Sequence, residues 1–433
     1  MTIMTILFIG ILIFLFLLGM PVAFGLGVTA FIMAILMEKS LFDINYGIIA
    51  QRIFYGPNNF LILAVPFFLL AGRLMNTSGI TTRIYNFADA LVGHVQGGLG
   101  QVNVLGSMIF AGMTGVGTSD AAGLGTVEIK AMRDAGYDDD FTVAITAASA
   151  TIGPIIPPSV PLVIYGVLAT VSVGRLLIGG IIPGILMGLA LMVMVSFYAK
   201  KRRYPKRNRT NFNELLKASR QAFLPLMTPV ILVGGMISGV FTPTEAAAVA
   251  ALYSFVLGVF VYREISLSNF WVIIKETAKD TAIIMFIVAC ALYYGWVLIR
   301  SRIPIILLEE LTAITTDPLI ILFILNGFFL IVGCFMETIA AMSILVPVLT
   351  PLIQKVGIDP LHFGLVMVLN LVIGLITPPF GMVLFVLDKV SGVPIYRIVK
   401  ATLPFIIPLL VVLILITIYP PLVTFLPNLV MGK

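Results

Sequence analysis

The sequence predicts an all-α polytopic membrane protein built from two inverted repeats. Of its 433 residues, 60% are hydrophobic and only 11% are charged, whereas soluble domains are roughly half apolar and a quarter charged. Apolar runs of about twenty residues, long enough to cross a hydrocarbon core of about 30 Å, recur along the whole chain. The interruptions in these runs also recur in the same order, 221 residues apart.

The apolar runs predict five membrane spans in each half of the chain. Because five is an odd number, the second half must be inserted upside down relative to the first. The first run has no basic region before it and no small-residue cleavage site, so we interpret it as a retained helix and not as a signal peptide. The predicted spans are 3–18, 21–37, 48–76, 140–171 and 176–199, then 222–239, 245–262, 280–299, 361–388 and 399–426.

Two further apolar stretches, 102–134 and 320–354, are interrupted midway by glycines and polar residues. Each predicts a helical hairpin that enters and leaves the membrane on the same side. An amphipathic segment precedes each hairpin, at 80–97 and 302–317, and we expect both to lie along the membrane interface as arms.

The connector at 200–220 joins the first repeat (1–199) to the second (221–433) and is strongly basic. By the positive-inside rule it is cytoplasmic, and alternation of the spans then puts both chain termini on the opposite side. Outside this loop nothing in the sequence favours nucleic-acid binding. Its charged residues are Lys200, Lys201, Arg202, Arg203, Lys206, Arg207, Arg209, Lys217 and Arg220 against Glu214.

The repeat is carried by helix breakers and loop residues that match at the fixed offset. An internal repeat of this kind is typical of transporters whose halves have opposite orientations. The matched pairs are Gly112 and Gly333, Gly136 and Gly357, Asp138 and Asp359, Ser149 and Asn370, Gly153 and Gly374, and the proline pairs 157–158 and 378–379.

Each proline pair breaks a membrane helix. Proline has no amide donor and clashes with the carbonyl four residues back, so Pro157 and Pro158 should release the carbonyls of Gly153 and Pro154 from the helical ladder. Irregular backbone at membrane depth persists only where it is buried in protein or lines a polar cavity. We therefore expect the two breaks, 153–159 and 374–381, to coordinate a cation or meet a substrate.

The hairpin tips supply the oxygen atoms that should face these breaks. The first tip holds hydroxyls and Asp120, although Asp120 could instead be a helix-capping or first-turn residue. The second tip holds Glu337, which would cost about 2.5–3.5 kcal/mol if it stayed unpaired at mid-membrane; alternatively, it is a water-exposed loop carboxylate.

From these tips and breaks we predict two related Na⁺ sites, two being an assumed number. The predicted sodium ligands are Thr114, Gly117, Ser119, Asp120, Gly153, Ile156, Pro158, Gly333, Glu337, Thr338, Gly374, Thr377 and Pro378. The predicted substrate-binding residues are Thr118, Ser119, Ser159, Thr338 and Thr377. For Ser159 and Thr377 the alternative is a hydroxyl bonded to its own helix.

Other chemistries find little support in the sequence. His94 and His362 are the two histidines, too far apart in the chain to indicate a transition-metal site. No HExxH motif and no GxxxxGK[ST] phosphate loop is present, which argues against a zinc protease and an ATP-driven pump. We therefore expect a transporter and not an enzyme, with an intramembrane protease or a channel as minor alternatives. Gly180, Gly184 and Gly188 indicate a close helix contact within the protein or, alternatively, a subunit interface.

Five motifs together resemble the large membrane subunit of tripartite ATP-independent periplasmic (TRAP) transporters, and the resemblance covers essentially the whole chain. The motifs are GMPVAFGLG (19–27), AGMTGVGTSDAAGLG (111–125), GPIIPPS (153–159), GVFTPTEAAAVAAL (239–252) and GLITPPFGMVLF (374–385). The resemblance implies a Na⁺-driven importer of carboxylate-bearing solutes, such as C4-dicarboxylates or sialic acids, in the bacterial inner membrane, with both termini periplasmic. Coupling to protons in place of Na⁺ is the alternative.

The resemblance also implies a fold and partners. The fold is that of elevator transporters of the ion transporter superfamily, in which hairpins and broken helices move against a scaffold that includes helices 1–78 and 222–299. The implied partners are a periplasmic substrate-binding protein and a separate small membrane subunit of four helices.

Overall fold

The computed structural model describes residues 3–38, 46–55, 57–202, 204 and 211–432, and every regular element within these ranges is helical. Eight of the described helices are long and apolar enough to cross a membrane. The prediction of an all-α polytopic membrane protein is thus confirmed. The inverted insertion of the two halves and the elevator motion stay predictions.

In the described part of the first half there are twelve α-helices, and a 3₁₀ turn at Phe60–Leu63 precedes the fourth. They are α1 (Ile3–Leu17), α2 (Val22–Glu38), α3 (Tyr46–Tyr55), α4 (Ala64–Thr77), α5 (Ile80–Val92), α6 (Gly98–Thr114), α7 (Gly117–Ala122), α8 (Leu124–Asp134), α9 (Asp139–Ala150), α10 (Val160–Ala169), α11 (Val173–Gly179) and α12 (Ile181–Arg202).

The described residues of the second half form ten α-helices, and a π turn at Leu257–Val261 extends the second of them. They are α13 (Phe212–Ile237), α14 (Pro243–Val256), α15 (Leu267–Arg300), α16 (Ile303–Ile314), α17 (Pro318–Phe335), α18 (Thr338–Val356), α19 (Pro360–Gly374), α20 (Met382–Ser391), α21 (Ile395–Ile418) and α22 (Pro421–Met431).

Besides the ends that reach into the connector, three predicted spans differ from the observed helices. The span 399–426 is wrong as a single helix, because α21 ends at Ile418 and α22 begins at Pro421, and Pro420 and Pro421 have no amide N–H to continue the helical ladder. The span 48–76 is wrong as a single helix, because α3 ends at Tyr55 and a 3₁₀ turn leads into α4. Pro57 cannot donate to a helical ladder, and Asn59 caps the new turn by accepting a hydrogen bond from the amide of Leu61 at 2.9 Å. The span 280–299 is too short, because α15 begins at Leu267, where Ser266 caps it.

The basic connector is shorter than predicted, because helices enter it from both ends. Helix α12 continues to Arg202, and α13 begins at Phe212. Of the predicted connector, Arg203 and the stretch 205–210, which includes Lys206, Arg207 and Arg209, lie outside the described residues.

Matched residues of the two halves start matched helices. Asp138 caps α9 by accepting a hydrogen bond from the amide of Phe141, and Asp359 caps α19 by accepting one from the amide of Leu361, both at 2.9 Å. A glycine with positive φ lies two residues before each cap, Gly136 at +80° and Gly357 at +81°.

The two halves interlock around one core. The main hydrophobic cluster contains buried residues from Phe8 to Val423 and therefore draws on both halves. In addition, α7 of the first half packs against α20 of the second, and α10 packs against α18. The hairpin of the first half therefore contacts the helix after the second break, and the helix after the first break contacts the hairpin of the second half.

Candidate functional site

The first break, residues 151–159, separates α9 from α10. Ser159 begins α10 because its hydroxyl oxygen accepts a hydrogen bond from the amide of Leu162 at 3.2 Å. The same hydroxyl donates to the carbonyl of Pro154. The Pro154 carbonyl, which the proline pair should release from the helical ladder, therefore has a side-chain donor from the serine that follows the pair.

Two glycines, one directly before helix α12 and one within it, pack against this break. A β-carbon at Gly180 would lie 2.1 Å from the carbonyl oxygen of Ile155, and one at Gly184 would lie 2.2 Å from Ile156. The glycines at 180 and 184 thus make a close helix contact within the chain, as predicted. Ile156, one of the predicted sodium ligands, directs its side chain to this packing surface.

The tip of the first hairpin lies directly on the first break. A β-carbon at Gly115 would lie 2.3 Å from the carbonyl oxygen of Pro158, and one at Gly117 would lie 2.9 Å from that of Ala150. Gly115 also has φ at +67°, a region that L side chains rarely adopt. Glycine at both positions therefore lets tip and break approach at backbone distance.

Asp120 connects this tip to Gly153. Its carboxylate lies so close that a β-carbon at Gly153 would be 2.0 Å from Oδ2. The Thr114 hydroxyl donates a hydrogen bond to Oδ1. The structure thus brings together Thr114, Gly117, Asp120, Gly153 and Pro158, five of the predicted sodium ligands.

Among the described residues, no cationic side chain pairs with the buried carboxylate of Asp120. The residue is 2% exposed, and Oδ2 has no hydrogen-bond partner among the described residues. A buried carboxylate is stable only when it is paired, coordinated or protonated. A hydroxyl, a carboxylate and backbone oxygens are the donor set that a hard monovalent cation accepts, so the residues present fit Na⁺.

The second tip meets the second break through close backbone contact, and the rings of Phe335 and Phe380 also lie against each other, with centroids 5.7 Å apart. A β-carbon at Gly374 would lie 2.4 Å from the carbonyl carbon of Gly333. The amide of Gly381 donates to the carbonyl of Cys334 at 3.4 Å, just as the amide of Val160 donates to the carbonyl of Gly115 at 3.4 Å in the first half. The predicted ligands Gly333 and Gly374 are therefore in direct contact.

Glu337 has a role that the sequence reasoning missed. Its carboxylate caps α18, because one oxygen accepts hydrogen bonds from the amides of Ile339 at 2.8 Å and Ala340 at 3.1 Å. The next residue, Thr338, is buried, and its hydroxyl has no partner among the described residues. Ion binding by Glu337 and Thr338 stays a prediction.

The second break is more open than the first. Thr377 and Pro378 are half-buried, whereas Pro379 and Phe380 are exposed. The Thr377 hydroxyl donates to the carbonyl of Ile373 at 2.8 Å. The Ser159 hydroxyl, after the first proline pair, and the Thr377 hydroxyl, before the second, thus both donate to carbonyls a few residues away in the chain. Their contact with a substrate stays a prediction.

A cavity of about 260 Å³ adjoins the first tip. Two predicted substrate residues, Thr118 and Ser119, line it together with Asn76, Arg73 and Asp280. The cavity therefore presents hydroxyl, amide and charged groups within one pocket, beside the Asp120 site.

Arg73 is the cavity residue that the sequence reasoning missed. It forms salt bridges with Glu276 and Asp280 of α15. An arginine inside the otherwise apolar helix α4 was the signal that could have found it, since ionisable residues within spans are rare and usually functional.

Taken together, the fold and the site define a polytopic helical membrane protein whose centre is built from two broken helices and two hairpins. The sequence profile described as "Tripartite ATP-independent periplasmic transporter, DctM component" matches residues 9–422. The chain therefore belongs to the TRAP large permease family, and it is a multi-pass subunit of a solute transporter.

Two relatives illustrate this membership. The sialic acid TRAP transporter large permease protein SiaM of Vibrio cholerae is 47% identical over 414 residues, which cover 96% of each chain. The C4-dicarboxylate TRAP transporter large permease protein DctM of Pseudomonas aeruginosa is 41% identical over 380 residues, 88% of this chain and 89% of the relative.

A solved structure supports the fold at low sequence similarity. The YdaH transporter of Alcanivorax borkumensis, described as having an unusual topology, superposes with a TM-score of 0.62 at 14% identity. The match covers 83% of this chain and 84% of the other. At this identity the likeness concerns the fold alone.

Proposed function

We propose that this chain imports a carboxylate-bearing solute, of the C4-dicarboxylate or sialic acid type, across the bacterial inner membrane by Na⁺ symport. The observation that carries the proposal is the Asp120 carboxylate, buried against Gly153 with one oxygen unpartnered. A cation at this position would neutralise the acid and hold the first tip on the first break.

The substrate class follows from the relatives, whose names specify sialic acid and C4-dicarboxylates. Membership of the family also implies a small membrane subunit and a periplasmic binding protein that delivers the solute. The hydroxyls of Thr118 and Ser119, which line the cavity beside the first tip, are positioned to donate hydrogen bonds to a carboxylate.

In the proposed mechanism, Na⁺ binds at Asp120 and a second Na⁺ binds near Gly333 and Gly374. Both tips are then closed on their breaks, and the solute is held between them. The hairpins and broken helices slide as one body against the scaffold and open to the cytoplasm. Arg73 of α4 forms ion pairs with Glu276 and Asp280 of α15 at the edge of the cavity. These ion pairs therefore border the surface along which the hairpins and broken helices would slide.

The driving force for such coupling is sufficient. Two Na⁺ with one monoanion move one net charge, which contributes about 2.3 kcal/mol at 100 mV. A tenfold Na⁺ gradient adds roughly 1.4 kcal/mol for each ion. The sum of about 5 kcal/mol supports accumulation on the order of several thousandfold.

Reconstituted uptake tests this function. The chain is placed in proteoliposomes with a small membrane subunit and candidate binding proteins, and labelled sialic acid or succinate is offered. We expect uptake that needs an inward Na⁺ gradient and a binding protein. Uptake that persists unchanged when choline replaces Na⁺ at constant pH would rule out Na⁺ coupling and favour protons acting through Asp120 or Glu337. Solute flux that neither saturates nor needs a binding protein would favour a channel.

A further inference from the structure

A second buried acid, Glu128, lies outside the site described above. It belongs to α8, the return arm of the first hairpin, and is 1% exposed. Helix α8 packs against α6 and α9, so Glu128 sits inside the body formed by the hairpin and the broken helix. No step of the Na⁺ mechanism uses it.

Three polar side chains fix the surroundings of Glu128. Asn103 of α6 donates from its amide nitrogen to Glu128 Oε2 at 2.7 Å and to Thr146 Oγ1 at 2.9 Å. The Asn103 carbonyl oxygen accepts from the hydroxyl of Ser149 at 2.7 Å. Because Ser149 occupies this oxygen, the asparagine presents its donor side to the acid.

The second carboxyl oxygen of Glu128 has no partner. Oε1 is buried, without a hydrogen bond to any described residue, and it faces the backbone of α6, where a β-carbon at Gly106 would lie 3.3 Å away. An ionised carboxylate in this position would be a half-satisfied buried charge, whereas a neutral acid avoids most of that cost.

No cation on the surrounding helices compensates Glu128. Helix α6 carries no titratable side chain, and Asp120 is the charged group that acts on Glu128 electrostatically, as a second negative charge. Lys130 and Lys389 are exposed, and Arg83 and Arg133 pair with Glu264 and Asp139. The other titratable groups on the packed helices are Tyr85 and Asp89 on α5, Asp134 on α8, Asp140 on α9 and Asp388 on α20.

The second half builds the corresponding network from neutral groups. Asn326 of α17 donates to Thr417 Oγ1 at 2.9 Å, and Asn370 of α19 donates to Asn326 Oδ1 at 2.7 Å. Both halves thus join the first arm of the hairpin to the broken helix through a buried asparagine. The asparagine of the first half also donates to a carboxyl group on the return arm of its hairpin, whereas that of the second half donates to a hydroxyl on α21.

We propose that Glu128 is a proton-binding site, occupied by a proton taken from water, and that the chain works with this residue as a neutral carboxylic acid. A proton fits better than Na⁺, because the neighbour that contacts Oε2 is an N–H donor and not an oxygen ligand. Loss of the proton places an unpaired negative charge between α6 and α9. It therefore loosens the hairpin from the broken helix and lowers uptake at alkaline pH.

Infrared spectroscopy of the purified full-length chain tests the proposal without requiring transport or Na⁺. We expect wild type at neutral pH to show a protonated-carboxyl band that is absent from Glu128→Gln. Added Na⁺ should leave this band in place. Asn103→Ala should shift it to higher frequency, because the variant lacks the hydrogen bond to Oε2. Glu214→Gln, at an exposed acid on α13, is the control and should leave this band unchanged. A band that disappears on addition of Na⁺, or a Glu128→Gln spectrum that lacks only an ionised-carboxylate band, would overturn the proposal.

Uptake provides the second readout. Glutamine mimics the neutral acid, so Glu128→Gln should retain uptake within about twofold of wild type at neutral pH and lose the alkaline decline that wild type shows. Strong loss of uptake in a folded Glu128→Gln protein would show that the negative charge is required. If this variant does not fold, the Na⁺ and Asn103→Ala responses of the band still decide the question.

Discussion

In both halves of the molecule the backbones of the hairpin tip and the broken helix touch, and in the first half the Asp120 carboxylate also lies in this contact. Asp120 fills the space beside Gly153, and the whole first break is buried or half-buried. Gly333 and Gly374 leave no space for any side chain, and the second break contains Phe380, which is 52% exposed.

This difference assigns different physical tasks to the two junctions. The first contains a buried carboxyl group and is complete only when a cation or a proton neutralises it. The second is held by close packing and by the Glu337 carboxylate, which is already engaged as a helix cap. We therefore expect the stability of the first junction to depend on bound ions and that of the second to depend on the volume of the side chains placed there.

The largest effect is expected from Gly374→Ala. The added methyl would lie 2.4 Å from the Gly333 carbonyl carbon, and backbone cannot move aside as a flexible side chain can. Overpacking of this kind typically costs about 1–3 kcal/mol, so both uptake and the thermal unfolding midpoint should fall. Gly327→Ala on α17, where no atom lies within 4 Å, is the matched control. Normal uptake by Gly374→Ala would show that the two backbones need not touch.

The next effect concerns Asp120→Asn compared with Glu337→Gln. Na⁺ that binds the native state should raise the unfolding midpoint of wild type by mass action, and Asp120→Asn should remove the part of this rise that comes from the first junction. The half-maximal Na⁺ concentration for uptake should increase about tenfold or more, which corresponds to roughly 1.4 kcal/mol.

Glu337→Gln should change the Na⁺ response less, because a glutamine oxygen can still accept the amides of Ile339 and Ala340. Both variants are measured by thermal melting with and without Na⁺. A larger loss of Na⁺ response in Glu337→Gln than in Asp120→Asn would reverse the comparison between the two junctions.

A smaller effect is expected from the hydroxyls beside the prolines. Ser159→Ala removes a helix cap and leaves the buried Pro154 carbonyl without its donor, which should cost about 1–2 kcal/mol of stability. Thr377→Val removes one bond at a half-exposed position and should cost about 0.5 kcal/mol or less. Denaturation of both variants in the same detergent gives the comparison, and equal losses would contradict it.

The smallest effect is a pH dependence at the start of α9. Partial burial opposes ionisation of Asp138, but hydrogen bonds from Arg202, Tyr204 and the amide of Phe141 hold its pKa below the usual value of 3.8. Its contribution to stability is therefore present above about pH 4 and is lost as pH falls through the lowered pKa. Asp138→Asn should reduce the unfolding midpoint more than Asp359→Asn at pH 7, and the difference should shrink in strong acid. A difference that grows on acidification would refute this assignment.

Local chemistry made much of the fold predictable. Proline pairs and glycines determine the breaks at 153–159 and 374–381 wherever the chain goes next, and Asp138 and Asp359 cap helices only a few residues away. The break after Tyr55 could have been predicted from Pro57 and the asparagines beside it. The apolar residues on both sides instead favoured a single span.

Contacts between distant parts of the chain were not predictable in the same way. Arg73 finds its acids 203 and 207 residues later, and Glu128 meets Asn103 on a different helix. Glu337 was recognised as an unusual intramembrane acid, but its role as a cap depends on where α18 begins. A single sequence contains these residues without stating which of them meet.

The interlocking of the halves also bears on how the chain is made. Helix α7 packs on α20 and α10 packs on α18, yet α7 leaves the ribosome long before α20 is synthesised. At about 5–20 residues per second the delay is on the order of tens of seconds. During that interval the nascent first half has Asp120 on α7 but not α20, the second-half helix that packs against α7, so this part of the core stays unfinished until the second half is made.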